Sequence, residues 1–126
     1  MAAFVAHDVR FVVVGAYAVT FHSRPRFTKD LDVWVEPTKD NAPRVVQALA
    51  SFGAPLTEHG VSALDFEKPG IVYQMGMVPN RVDVLTAVDG LQFAPCWDRR
   101  SRSTYGDVEV AYLSKADLII NKRTVG

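Results

Sequence analysis

The chain has 126 residues, 48% of them apolar and 22% charged, with as many lysines and arginines as aspartates and glutamates. That is the size and balance of one globular domain, and it argues against global disorder and against nucleic-acid binding driven by bulk positive charge. A single cysteine, Cys96, excludes an internal disulfide framework and fits a reducing cytoplasm.

The opening "MAAFVAHDVR" has no basic leader, and no apolar run approaches membrane-spanning length, so the expectation is one cytoplasmic domain, residues 1–126, without membrane partners. Residues 10–15, "RFVVVG", form a β-branched run ended by glycine and predict a buried strand and a turn. Residues 16–22, "AYAVTFH", suit a short helix, and 23–30, "SRPRFTKD", a basic loop. A second strand follows over 31–36, closed by Pro37. Residues 38–52 carry the clearest helix: Thr38 or Asn41 can cap it, Pro43 fits its first turn, and Val45, Val46, Leu49 and Phe52 repeat at helical spacing.

A short helix is expected around Ala63–Phe66. Strands over 70–76 and 81–88 are expected to pair as a hairpin through "MVPN". Residues 91–99 suit a short helix, and 104–113 a hairpin turning at Gly106 and Asp107. A last helix starts at Ser114, where Ser114 and Asp117 have the spacing of a capping box. Strands alternating with helices and hairpins predict an α/β or α+β domain with a mixed sheet and helices packed against it.

Three aspartates break the apolar pattern. Asp30 and Asp32 flank Leu31, and side chains two apart on a strand share a face, so Leu31, Val33 and Val35 are left to the buried face. Asp83 stands between Val82 and Val84 in the same way. An aspartate inside an apolar strand is disfavoured and needs compensation. Singly, each has a structural explanation: Asp30 as a turn residue, Asp32 paired with Arg24, Arg26 or Lys29, and Asp83 paired with Arg81. Together they suit a hard divalent cation, Mg²⁺ or Mn²⁺. His7, His22 and His59 show no ligand spacing. Gly15, between a strand and a helix start, is a candidate phosphate turn, with Arg24, Arg26 and Lys29 as cations for phosphate oxygens.

Gly15-Ala16, Arg26-Phe27-Thr28-Lys29-Asp30-Leu31-Asp32 and Arg81-Val82-Asp83 together resemble the signature of the polymerase-beta-type nucleotidyltransferase superfamily, most closely its minimal prokaryotic branch of AbiEii-type toxins. The likeness runs from about residue 10 to Lys122. It implies the nucleotidyltransferase fold, with Asp30, Asp32 and Asp83 as the catalytic metal ligands. It also implies that Gly15, Ala16, Arg24, Arg26, Lys29 and Lys122 bind the nucleotide. The implied reaction moves a nucleoside monophosphate from an NTP to a hydroxyl of RNA, protein or a small molecule, with a cognate antitoxin as partner where the role is that of a toxin. Two departures stand out. Ala16 replaces the usual glycine or serine, and the chain ends where relatives continue, so a truncated form is expected. These departures favour the alternative of a catalytically silent nucleotide-binding or antitoxin-like module. A third reading is an interaction domain whose acids only form salt bridges.

Overall fold

A computed structural model of the chain describes residues 2–14, 31–77, 80–105 and 108–125. The predicted helix over 16–22, the basic loop and the two turn centres at 78–79 and 106–107 lie outside the described residues.

The described elements follow the alternation of the sequence. They are α1 (Ala2–Ala6), β1 (Phe11–Val14), β2 (Leu31–Val35), α2 (Ala42–Ser51), α3 (Ala63–Phe66), β3 (Val72–Met77), β4 (Asn80–Leu85), α4 (Phe93–Asp98), β5 (Ser101–Tyr105), β6 (Val108–Tyr112) and α5 (Lys115–Val125). The strands form one six-stranded mixed sheet in the order β3-β4-β2-β1-β6-β5. The hairpins β3–β4 and β5–β6 are antiparallel, as expected, and so is the central pair β1–β2. Parallel pairing joins β2 to β4 and β1 to β6.

The pleat sorts side chains onto two layers. On one face Tyr73 of β3 meets Phe66 of α3 edge-on, with ring centroids 6.3 Å apart. α2 touches both α1 and α3 and belongs to that layer. On the other face Trp34 of β2 meets Phe93 of α4, also edge-on, at 5.2 Å. Val12, Val13, Val33, Val35 and Val84 are fully buried between the layers. A strand covered on both sides reads as a continuous apolar run, which is why "FVVV" and "VWV" carry so little alternation.

Three local features differ from expectation. The opening residues fold as α1, whose Phe4 packs edge-on against Phe11 at 5.2 Å. Five residues are too few to display a helical period, so tertiary packing rather than pattern holds this turn. The fifth strand begins at Ser101, three residues before the expected start. Finally, α2 begins at Ala42, and Asn41, though at the N-cap position, makes no capping bond.

Asn41 is 1% exposed, and its side chain instead ties the sheet to the helix. Its Oδ1 accepts the Arg10 N–H at 2.7 Å, and its Nδ2 donates to the carbonyls of Arg10 and Glu36, both at 3.0 Å. The Asn41 N–H in turn donates to Thr38 Oγ1 at 3.2 Å. A buried amide that serves three backbone groups replaces ladder hydrogen bonds where β1 and β2 part.

The expected box at the start of α5 is present in modified form. The Asp117 N–H donates to Ser114 Oγ at 3.1 Å, and the Ser114 hydroxyl donates to Asp117 Oδ2 at 2.9 Å. The fully buried Asp117 carboxylate also receives a two-pronged hydrogen bond from Arg99, at 2.7 and 3.2 Å. Burial pushes this carboxyl upward, but the bonds from Arg99 and Ser114 outweigh it and hold the pKa below the ordinary 3.8. Next to the pair, burial and the neighbouring Asp117 carboxylate push the Cys96 thiol up to about 11. Cys96 is therefore an inert core residue that joins α4 to α5.

Candidate functional site

β2 has buried residues at four of its five positions, and the exception is Asp32. Its neighbour in the parallel pairing with β4 is Asp83, by register Asp32↔Asp83. Strands lie about 4.8 Å apart and register partners share a face, so these two carboxylates stand side by side on the sheet. Two like charges at that spacing repel unless a positive charge meets them.

The protein supplies one such charge. Arg81, two residues before Asp83 and on the same face of β4, brings Nε to 3.3 Å from Asp83 Oδ1. This is the ion pair that the sequence offered as a structural explanation of Asp83. The contact is at ion-pair distance but not aligned as a hydrogen bond. Asp83 Oδ1, on a side chain only 13% exposed, is closed to solvent and accepts no hydrogen bond among the described residues. Trp34 Nε1, on the same face, is a buried donor that likewise finds no acceptor among them. Buried polar atoms in native proteins are normally satisfied, so a dry carboxylate oxygen is an unusual feature.

On the other side of β2, Asp32 is the register partner of Val14, the last described residue of β1. Gly15, the predicted phosphate turn, follows Val14 in the chain and lies outside the described residues. A cleft of about 250 Å³ is lined by Val14, Asp32, Leu85, Ala87, Val88, Asp89 and Asn121. Asn121 belongs to α5, and its Nδ2 donates to the Asp89 carbonyl at 2.9 Å, closing the loop after β4 onto the helix. The loop owes its shape to Gly90, whose φ of +82° favours glycine. A Cβ on Gly90 would also run into the Thr124 hydroxyl of α5.

Of the residues singled out in the sequence, the structure therefore brings Asp32 and Asp83 together. It leaves Lys122 exposed on α5, one residue beyond Asn121 and outside the lining of the cleft. Gly15, Ala16, Arg24, Arg26, Lys29 and Asp30 lie outside the described residues. Among the described residues no three His, Cys, Asp or Glu side chains cluster as metal ligands. Asn121 and Asp89 at the cleft were not foreseen, because only the seating of α5 against the β4 loop brings them there. Trp34 and Tyr73 are core residues, and Tyr73 bonds His59 Nδ1 at 2.8 Å.

No helix among the described residues is long and apolar enough to cross a membrane. No family model matches the chain, and no curated protein matches it in sequence.

Proposed function

We propose that the protein is a metal-dependent nucleotidyltransferase of the polymerase-beta type, moving a nucleoside monophosphate from an NTP to a hydroxyl acceptor. The observation that carries this reading is the pairing of Asp32 with Asp83 on adjacent parallel strands, beside the strand end that leads into Gly15. The donor set fits a hard divalent cation: carboxylate oxygens only, one of them dry and free of hydrogen bonds among the described residues. In this reading Asp30, Asp32 and Asp83 would hold Mg²⁺ or Mn²⁺, which when bound supplies charge stabilisation to the attacking and leaving oxygens. The roles of the chain's own groups follow from chemistry of this class. Asp83 is the carboxylate suited to receive the proton of the acceptor hydroxyl. Backbone N–H groups after Gly15, with Arg24, Arg26 and Lys29, would orient the triphosphate. The mixed sheet with helices on both faces is compatible with the nucleotidyltransferase fold.

The alternative is a silent nucleotide-binding or antitoxin-like module, and the Arg81–Asp83 ion pair favours it, because an arginine already partly neutralises the third carboxylate. Incubation with each labelled NTP, Mn²⁺ or Mg²⁺, and RNA or protein acceptors separates the two. Label transfer that is lost in Asp32→Asn and in Asp83→Asn supports the enzyme. Metal-dependent NTP binding without transfer supports the module, and absence of both excludes each.

A further inference from the structure

A second cleft, of about 280 Å³, lies at the opposite end of β1 from Asp32. Its lining includes Arg10, Arg100, Arg102 and Trp97 over an apolar floor with Phe11 and Val110. Arg10 immediately precedes β1, Arg100 follows α4 and Arg102 lies on β5, so the topology gathers them from three elements.

Two of the guanidiniums share one aromatic ring. Arg100 lies 3.9 Å from the centroid of the Trp97 ring and Arg10 lies 5.3 Å from the same ring. One indole thus holds two cations by the electron-rich faces of its π-system. The Arg100 guanidinium is fixed further by donating from Nη1 to the Trp97 carbonyl at 2.7 Å. Arg10 has a rim partner in Glu36 at 3.3 Å. Asp8 and Glu109 also line the cleft, yet among the described residues neither forms an ion pair with Arg100 or Arg102. Burial, together with the like charges of Arg102 and Arg10, pushes the Arg100 pKa down. The cleft lining thus holds three guanidiniums and two carboxylates, and two of the guanidiniums are oriented by one aromatic ring.

We infer that this cleft is an anion site for a phosphate group, held by Arg100 and Arg102 with Arg10 at its edge. Planar guanidinium forks match phosphate oxygens two at a time, and the Trp97 platform reduces the rotamer freedom lost on binding. The site is separate from the Asp32 cleft and does not depend on how that cleft is read. Two sources could present the same group: a free phosphate or phosphomonoester, and the backbone of a single-stranded RNA.

Calorimetric titration of the intact chain with inorganic phosphate, and separately with a short oligoribonucleotide, tests the assignment. Saturable binding is expected, weakened about tenfold or more in Arg100→Gln and in Arg102→Gln and unchanged in Lys68→Gln, an exposed cation outside both clefts. Equal affinity for phosphate and oligonucleotide identifies a small phosphate ligand. Affinity that grows with oligonucleotide length and falls steeply with salt identifies RNA. Circular dichroism of the arginine variants confirms that the fold is kept. Absence of saturable binding by either probe, or unchanged affinity in a folded Arg100→Gln/Arg102→Gln variant, overturns the proposal.

Discussion

Arg81 Nε lies 3.3 Å from Asp83 Oδ1, placing a fixed positive charge next to the carboxylate pair of β2 and β4. A cation bound by Asp32 and Asp83 has to share that field. Removing the guanidinium relieves a repulsion worth about 1 kcal/mol at a well-solvated site. Mn²⁺ is therefore expected to bind Arg81→Gln roughly fivefold more tightly than the parent chain, by paramagnetic resonance titration. Equal or weaker binding would show that Arg81 does not oppose a cation there.

The same pair makes a prediction about the metal-free protein. Asp32→Asn removes the repulsion between the neighbouring carboxylates while keeping an amide that can still take part in hydrogen bonds. The variant is expected to melt at the same temperature as the parent or higher, even as it loses metal binding. A fall of several degrees would show that the contacts of Asp32 within the chain outweigh its repulsion of Asp83.

Gly90 combines a left-handed φ of +82° with the close approach of Thr124. Gly90→Ala is expected to cost about 1–3 kcal/mol, part from backbone strain and part from the clash. Adding Thr124→Gly should relieve the clash, since Thr124 Cβ itself lies 2.9 Å from the added carbon, and leave the strain. Denaturant melts of the two variants separate these contributions, and full recovery in the double variant would rule out the backbone share.

Asn41→Ala removes one side chain that serves the Arg10 N–H and two carbonyls at the point where β1 and β2 part. The two carbonyls keep the Glu36 and Thr38 N–H donors, so the Arg10 N–H is the group left unpartnered, and the expected cost is about 1–3 kcal/mol. A loss below about 1 kcal/mol in equilibrium unfolding would show that water takes over the bond to the Arg10 N–H.

Asp117 gives the stability its acid limb. Its folded pKa is depressed, so its contribution is present above the unfolded value and is lost as pH falls through the folded value, below about pH 4. Asp117→Asn is expected to be less stable by about 2 kcal/mol at neutral pH and to show a flatter decline between pH 5 and pH 2. Parallel pH profiles for the two proteins would contradict this.

Much of the sheet was legible in the sequence because β-branched runs such as "FVVV" and "VDVL" leave few alternatives. The helix expected over 38–52 followed from period and punctuation and is found over 42–51, and the short helices expected around 63–66 and over 91–99 are found over 63–66 and 93–98. Asn41 and Asp117 announced helix starts, yet their second partners lie 31 and 18 residues away, beyond the reach of local pattern. The face shared by Asp32 and Asp83 required the register of two strands separated by two helices and a strand. The arginine cleft was invisible for the same reason, since no local signal links residue 10 to residues 100 and 102.

The parallel pairing of Val13 with Tyr112 has a consequence for how the protein forms. β1 is the bridge between the β3-β4-β2 half of the sheet and the β6-β5 half, and most of the chain lies between its two sides. Contacts of such long range are entropically expensive and late. β1 and β2 can meet early, and both hairpins can form on their own, but the sheet closes only when β6 arrives. Folding is therefore expected to be slow for a chain of this length, with closure of β6 onto β1 as the step that limits its rate.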